Sequence, residues 1–145
     1  VYIAAAGGAP MEPAGPIGLG PDGLAGDRYA GGTGHWRGPD ACAVTLIRAE
    51  DLGCIERRTG LSLSAGEHRR NLVVRGLRRK DLAAGRLRIG ETVLAVSGPR
   101  PPCGYLERLT RPGMARALRG RSGICLEVVS GGTLRPGDSV RPEPA

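Results

Sequence analysis

A chain of 145 residues with no Phe, one Trp and three Tyr must build its core from aliphatic side chains, and at that length it is expected to fold as one domain, residues 1–145, without needing disulfide staples. Its formal charge of +7 comes from 21 basic and 14 acidic residues, and Lys80 is the one lysine, so the excess is carried by arginine. No apolar run approaches a membrane span, the N-terminus has no basic leader, and Cys42, Cys54, Cys103 and Cys125 contain no CxxC pair or zinc-ribbon spacing; the expectation is a cytoplasmic protein with free thiols and no membrane partner.

In chain order, residues 1–6 predict a strand stopped by Gly7-Gly8. Residues 7–40 read as one long loop, dominated by Gly, Pro and Asp, and a loop of that length in a compact domain is functional or disordered. Residues 41–47 (ACAVTLI) predict a strand. A helix follows, with Glu50 and Asp51 in its first turn, Arg57 and Arg58 in its last, and Gly60 just past its end, the arrangement the helix dipole favours. Leu52, Ile55 and Thr59 would face the core. A strand region is expected over 67–74, a single helical turn over 81–84, and two strands over 86–97 around Gly90-Glu91. The run Gly98 to Cys103 is rich in Pro and therefore rigid and non-helical. Helical segments near 104–110 and 113–119 precede strands at 123–129, 133–134 and 139–141. The sum is a mainly β (α+β) chain: a closed β-barrel of short strands with two or three peripheral helices.

Charge is clustered. Residues 1–27 hold three acids and no base, whereas residues 57–88 hold ten bases and two acids. A GC-rich genome alone favours arginine; the functional alternative is an anionic ligand, because guanidinium grips phosphate in a bidentate manner. Cys103 follows two prolines and precedes a helix, where the helix dipole and nearby arginines would favour the thiolate, the nucleophile and soft-metal ligand. The alternative is a cysteine packed as a small apolar group; for Cys42, Cys54 and Cys125 packing is the better reading.

The glycines of Gly26-Asp27-Arg28-Tyr29-Ala30-Gly31-Gly32-Thr33-Gly34-His35 would allow backbone N–H groups to converge on an anion. Arg28 would clamp it and Asp27 orient the clamp, or the segment is an ordinary glycine-rich loop. His35 is a candidate catalytic residue or a surface histidine. In a strand, Arg69 and Arg70 would point to opposite faces, so only one could enter the barrel, with Asn71 on the face of Arg69. Arg121, in a turn before a strand, is placed to reach a pocket, whereas Arg78-Arg79-Lys80 reads as a solvated turn.

Taken in order, several segments resemble the MOSC domain family, named for the C-terminal domain of molybdenum-cofactor sulfurase. They are Gly26-Asp27-Arg28-Tyr29-Ala30-Gly31, Val44-Thr45-Leu46-Ile47 with Glu50, Arg69-Arg70-Asn71-Leu72-Val73-Val74, and Leu87-Arg88-Ile89-Gly90-Glu91. Pro102-Cys103 with Leu106, Gly120-Arg121 with Gly123, Gly131-Gly132-Thr133 and Gly137-Asp138 complete the set. Many members carry His where this chain has Tyr29, which shifts weight to His35, since a Tyr titrating near 10 is no base at neutral pH. Relatives can also show a second Cys near the Pro-Cys segment, where Cys103 stands alone.

The resemblance implies a β-barrel whose cysteine ligates molybdenum or carries sulfur. Cys103 would be the metal ligand, with Asp27, Arg28, Arg69, Arg70, Asn71 and Arg121 contacting a molybdopterin, and the reaction would reduce N-hydroxylated compounds with separate electron-transfer proteins. A second reading makes Cys103 a persulfide carrier loaded by a cysteine desulfurase, whose pyridoxal phosphate must reside in that partner. A third, a basic nucleic-acid-binding module, is disfavoured because only four aromatics are available for base stacking.

Overall fold

The computed structural model describes residues 1–38, 41–83 and 85–144. The chain opens with two short strands, β1 (Tyr2–Ile3) and β2 (Glu12–Pro13), paired antiparallel, and a hairpin of β3 (Ile17–Gly20) and β4 (Gly23–Leu24). β1 lies within the strand expected over residues 1–6, whereas β2, β3 and β4 lie where a long loop is expected from sequence. They are two to four residues long, too short for periodicity to register, and glycines dilute the one alternation present: Ile17 and Leu19 are buried while Gly18 between them is exposed. β3 is held by β10 (Gly132–Leu134), more than a hundred residues away, so the pairing that makes it a strand is invisible locally.

β5 (Val44–Arg48) leads into helix α1 (Ala49–Thr59), which crosses over to β6 (Leu72–Val74), parallel to β5. Gly60 closes the helix in the left-handed conformation, φ 74°, its N–H donating to Glu56 O; there a Cβ would cost energy that Gly avoids. Leu52 and Ile55 face inward as expected. Thr59 is exposed, and the third inward residue is Asp51.

A 3-10 turn over Arg79–Leu82 precedes β7 (Arg86–Ile89) and β8 (Thr92–Pro99); helices α2 (Gly104–Leu109) and α3 (Met114–Leu118), then β9 (Ile124–Ser130) and β11 (Val140–Glu143), follow. The order in the large sheet is β11-β7-β8-β9-β5-β6, antiparallel except for β5–β6.

This sheet curls into a half-barrel and does not close. Among the described residues β6 and β11 remain its two edges, and the small β10-β3-β4 sheet packs over the concave side. The closed barrel expected from sequence is therefore corrected: among the described residues no ladder joins the two end strands, β6 and β11. Ile17, Leu19 and Leu24 meet Leu46, Leu87, Leu94 and Leu126 in the main core. On the opposite face Ile47, Leu52, Ile55, Leu106, Met114 and Leu118 join α1, α2 and α3 to the sheet. Successive residues Leu46 and Ile47, both fully buried, thus serve two cores, as alternation on a doubly covered strand requires. Each such side chain contributes on the order of 2 kcal/mol. No helix among the described residues is long and apolar enough to cross a membrane.

Candidate functional site

The strand expected over 67–74 begins only at Leu72. Before it the chain makes a tight turn. Gly66 has φ 86° and Arg69 has φ 60°; Arg69 N–H donates to Gly66 O at 2.9 Å, and Arg70 N–H donates to His68 Nδ1 at 2.9 Å. A left-handed non-glycine residue costs on the order of 1 kcal/mol and persists only where its surroundings enforce it. Because Arg69 is not extended, strand alternation does not apply. Arg69 and Arg70 both line one cavity of about 550 Å³, which corrects the expectation that only one of them faces inward.

Arg70 is buried. Its Nε donates to Ser122 O at 2.7 Å, and its Nη2 donates to Ser122 Oγ at 2.7 Å and to Arg100 O at 3.3 Å. All three acceptors are neutral, and no carboxylate pairs with it among the described residues. Burial first, then the charge of Arg100, pushes its pKa down to about 9, and a negative Cys103 sulfur would act in the opposite sense. A guanidinium keeps its proton at neutral pH, so the depression expresses a buried charge lacking a counter-charge. Arg69 donates through Nη1 to Ala9 O at 2.8 Å, while its Nη2 is buried with no hydrogen-bond partner. Burial, then the charge of Arg28, lowers its pKa as well.

Arg28, also on the cavity wall, is held by Asp27 at 3.2 Å and lies 4.9 Å from the Tyr29 ring centroid. Asp27 itself is behind the wall, where its Oδ1 also accepts from Ala4 N and Asn71 Nδ2. The lining thus carries the guanidiniums of Arg28, Arg69, Arg70 and Arg100 and the exposed carboxylate of Glu127, and Arg28 is the one ion-paired with Asp27. The apolar part of the lining includes Tyr29, Trp36 and Tyr105, three of the chain's four aromatics.

Cys103 stands on the same wall, half-buried in an extended conformation ahead of α2, its Sγ accepting from Leu106 N at 3.5 Å. Cys42 and Cys125 also line the cavity, and their sulfurs are joined in a disulfide with Cα atoms 5.7 Å apart. This corrects the expectation of four free thiols: Cys54 and Cys103 are free. The cause is tertiary. β5 pairs with β9, and this brings the residue two positions before β5 onto Cys125, 83 residues away.

Besides Asp27, three expected site residues lie outside the lining. Asn71 is fully buried and spent on structure: Oδ1 accepts from Thr45 N and Oγ1, and Nδ2 donates to Tyr2 O, tying β1, β5 and β6 together. Arg121 points to the buried Asp51, 2.8 Å away, which Arg48 and Arg79 also hold at 2.8 and 3.2 Å. Burial pushes the Asp51 carboxyl up, but bonds from Arg48 and Arg121 outweigh it and hold the pKa below the usual range. Neither Asn71 nor Arg121 is part of the cavity lining, and both are held in structural ties. His35 is exposed and outside the lining; its ring stacks on Tyr105, centroids 3.6 Å apart, and meets Trp36 edge-on. His68 and Ser122, which set the pose of Arg70, escaped sequence reasoning. Only the adjacency of His68 to the arginine pair signals its role.

A half-barrel presenting a free thiol beside buried guanidiniums defines a thiol-bearing, mainly β domain. Residues 33–141 match the MOSC domain family, and the chain belongs to it; the family is generally linked to the molybdenum cofactor. Among solved structures, the YuaD protein of Bacillus subtilis superposes with TM-score 0.79 at 18% identity, covering 97% of this chain and 91% of that one. YiiM from Geobacillus stearothermophilus gives 0.70 at 25% identity over 92% of this chain and 63% of its own. YiiM from Escherichia coli gives 0.70 at 21% over 99% and 70%. No curated protein sequence matches significantly.

Proposed function

We propose that this chain binds a molybdopterin-type cofactor in the cavity, with Cys103 as the thiolate ligand of the metal, and acts as a redox domain on N-hydroxylated compounds with electrons from a separate protein. The observation that carries the reading is the pairing of one free thiol with Arg69 and Arg70, two buried cations that no carboxylate among the described residues neutralises. A phosphate-bearing group fits this donor set. An anion seated against Arg69 would supply the acceptor that its Nη2 lacks, and a negative sulfur on Cys103 favours the charged form of Arg70. When bound, such a cofactor supplies two-electron chemistry at its metal. The protein's own residues bind and orient: Arg28, Arg69 and Arg70 offset the phosphate charge, Ser122 fixes Arg70, and Tyr29, Trp36 and Tyr105 narrow the cavity and exclude water.

Metal analysis after expression in a cofactor-competent host tests this. Near-stoichiometric molybdenum is expected in the wild type, with a drop to background in Cys103→Ala and a partial loss in Arg70→Gln. Molybdenum absent from the wild type, or equal in Cys103→Ala, overturns it.

A further inference from the structure

The Cys42–Cys125 disulfide is part of the wall of the cavity that Arg69 and Arg70 line. Burial distinguishes its two ends: Cys42 is 3% exposed, whereas Cys125, on β9, is half-buried. A disulfide is cleaved by a thiolate that reaches one sulfur and displaces the other. Of the pair, Cys125 is the more exposed to a molecule in the cavity, whose lining also holds the guanidiniums of Arg69 and Arg70, neither ion-paired with a carboxylate among the described residues, and the solvent-exposed Glu127. Cations in a confined cleft concentrate anions and raise their encounter rate by tenfold or more.

We propose that Cys42–Cys125 is a redox-active pair that exchanges with small thiols carrying an acidic group. The acid is bound by Arg69 and Arg70, and the thiolate attacks Cys125 Sγ. The S–S bond breaks and its electron pair leaves on Cys42 Sγ. A second molecule of the thiol then attacks the mixed disulfide, releasing Cys125 as a thiolate and departing as its own symmetrical disulfide. Two small thiols are oxidised and the cysteine pair gains two electrons. The exchange draws on the same cavity and arginines as the proposed cofactor site but needs no metal.

The test uses the full chain, metal-free, carrying Cys103→Ser so that Cys103 does not take part in the exchange. Reduction by 2-mercaptoethanesulfonate, an anion, is compared with reduction by cysteamine, a cation, by acid trapping, alkylation and mass spectrometry of Cys42 and Cys125. Each rate is divided by that thiol's rate on the neutral disulfide of 2-mercaptoethanol. The expected preference for the sulfonate is about tenfold at low ionic strength, falling toward one in added salt and in Arg69→Gln or Arg70→Gln. A ratio near one in the unsubstituted arginine background overturns the proposal, as does a pair reducible only after unfolding. The salt series carries the test if an arginine variant does not fold, and loss of molybdenum binding leaves this readout untouched.

Discussion

His68 offers a quantitative check on the turn that aims the two arginines. It is fully buried. Its Nδ1 accepts from Arg70 N, its Nε2 has no partner, and burial, then the charge of Arg70, pushes its pKa from 6.5 to about 3. A neutral folded histidine and a titrating unfolded one mean that the unfolded chain binds the extra proton between those values. Stability is therefore fully present above pH 6.5 and is lost as pH falls toward 3. At about 1.4 kcal/mol per pH unit the full loss is about 5 kcal/mol, of which about 3 kcal/mol has gone by pH 4. Urea unfolding followed by circular dichroism at pH 7, 5.5 and 4 measures it. His68→Asn keeps an acceptor near the Arg70 amide and removes the titration, so the wild type should lose about 3 kcal/mol more than the variant at pH 4. Glu50 and Asp51, whose pKa values are also lowered, contribute acid sensitivity to both proteins and cancel in the difference. Equal losses in the two proteins would refute the reasoning. So would an NMR titration of the folded wild type in which the His68 ring proton moves near pH 6.5, a readout that stands even if the variant is unfolded.

Two further outcomes follow from the cluster around Asp51 and from the turn before β9. Asp51→Asn leaves Arg48, Arg79 and Arg121 without their shared carboxylate. Because Arg79 and Arg121 are partly solvated, the expected loss is about 3 kcal/mol, the low end for breaking a buried pair, read as a lower urea midpoint at pH 7. Since the Asp51 carboxyl titrates below its usual range, this contribution should vanish as pH falls below that range. Gly123 has φ 85°, and a Cβ there would run into the carbonyl of Leu46. Gly123→Ala should cost more than about 2 kcal/mol and loosen Ser122, the anchor of Arg70. A thermal melt showing a change of less than a degree would contradict the close approach.

Much of the element order was legible in the chain. Helix α1, with its acidic start, basic end and Gly60, is specified within a dozen residues, because dipole, capping and periodicity are local effects. The two strands around Gly90-Glu91 and the Pro-stiffened approach to Cys103 are similarly local. The strands between residues 12 and 24 were not legible: β2 pairs with β1 and β3 with β10, and the local β3–β4 hairpin is too short and glycine-rich to show a period. Sequence alternation failed at Arg69 because one left-handed residue, enforced by contacts at Gly66 and His68, breaks the two-residue period.

By itself the sequence determined the β-rich class, the family and the supply of chemistry: a thiol after two prolines and an arginine-rich middle. The tertiary structure decided which of those residues act together. Folding brings Asp51 to Arg121, while Arg28 is paired with its sequence neighbour Asp27, leaving Arg69 and Arg70 on the cavity wall with Cys103 and no ion-pair partner among the described residues. It also decided that Cys42 and Cys125 meet. The Arg121–Asp51 pair and the strand register that joins Cys42 to Cys125 are long-range, and no short window of sequence contains both partners.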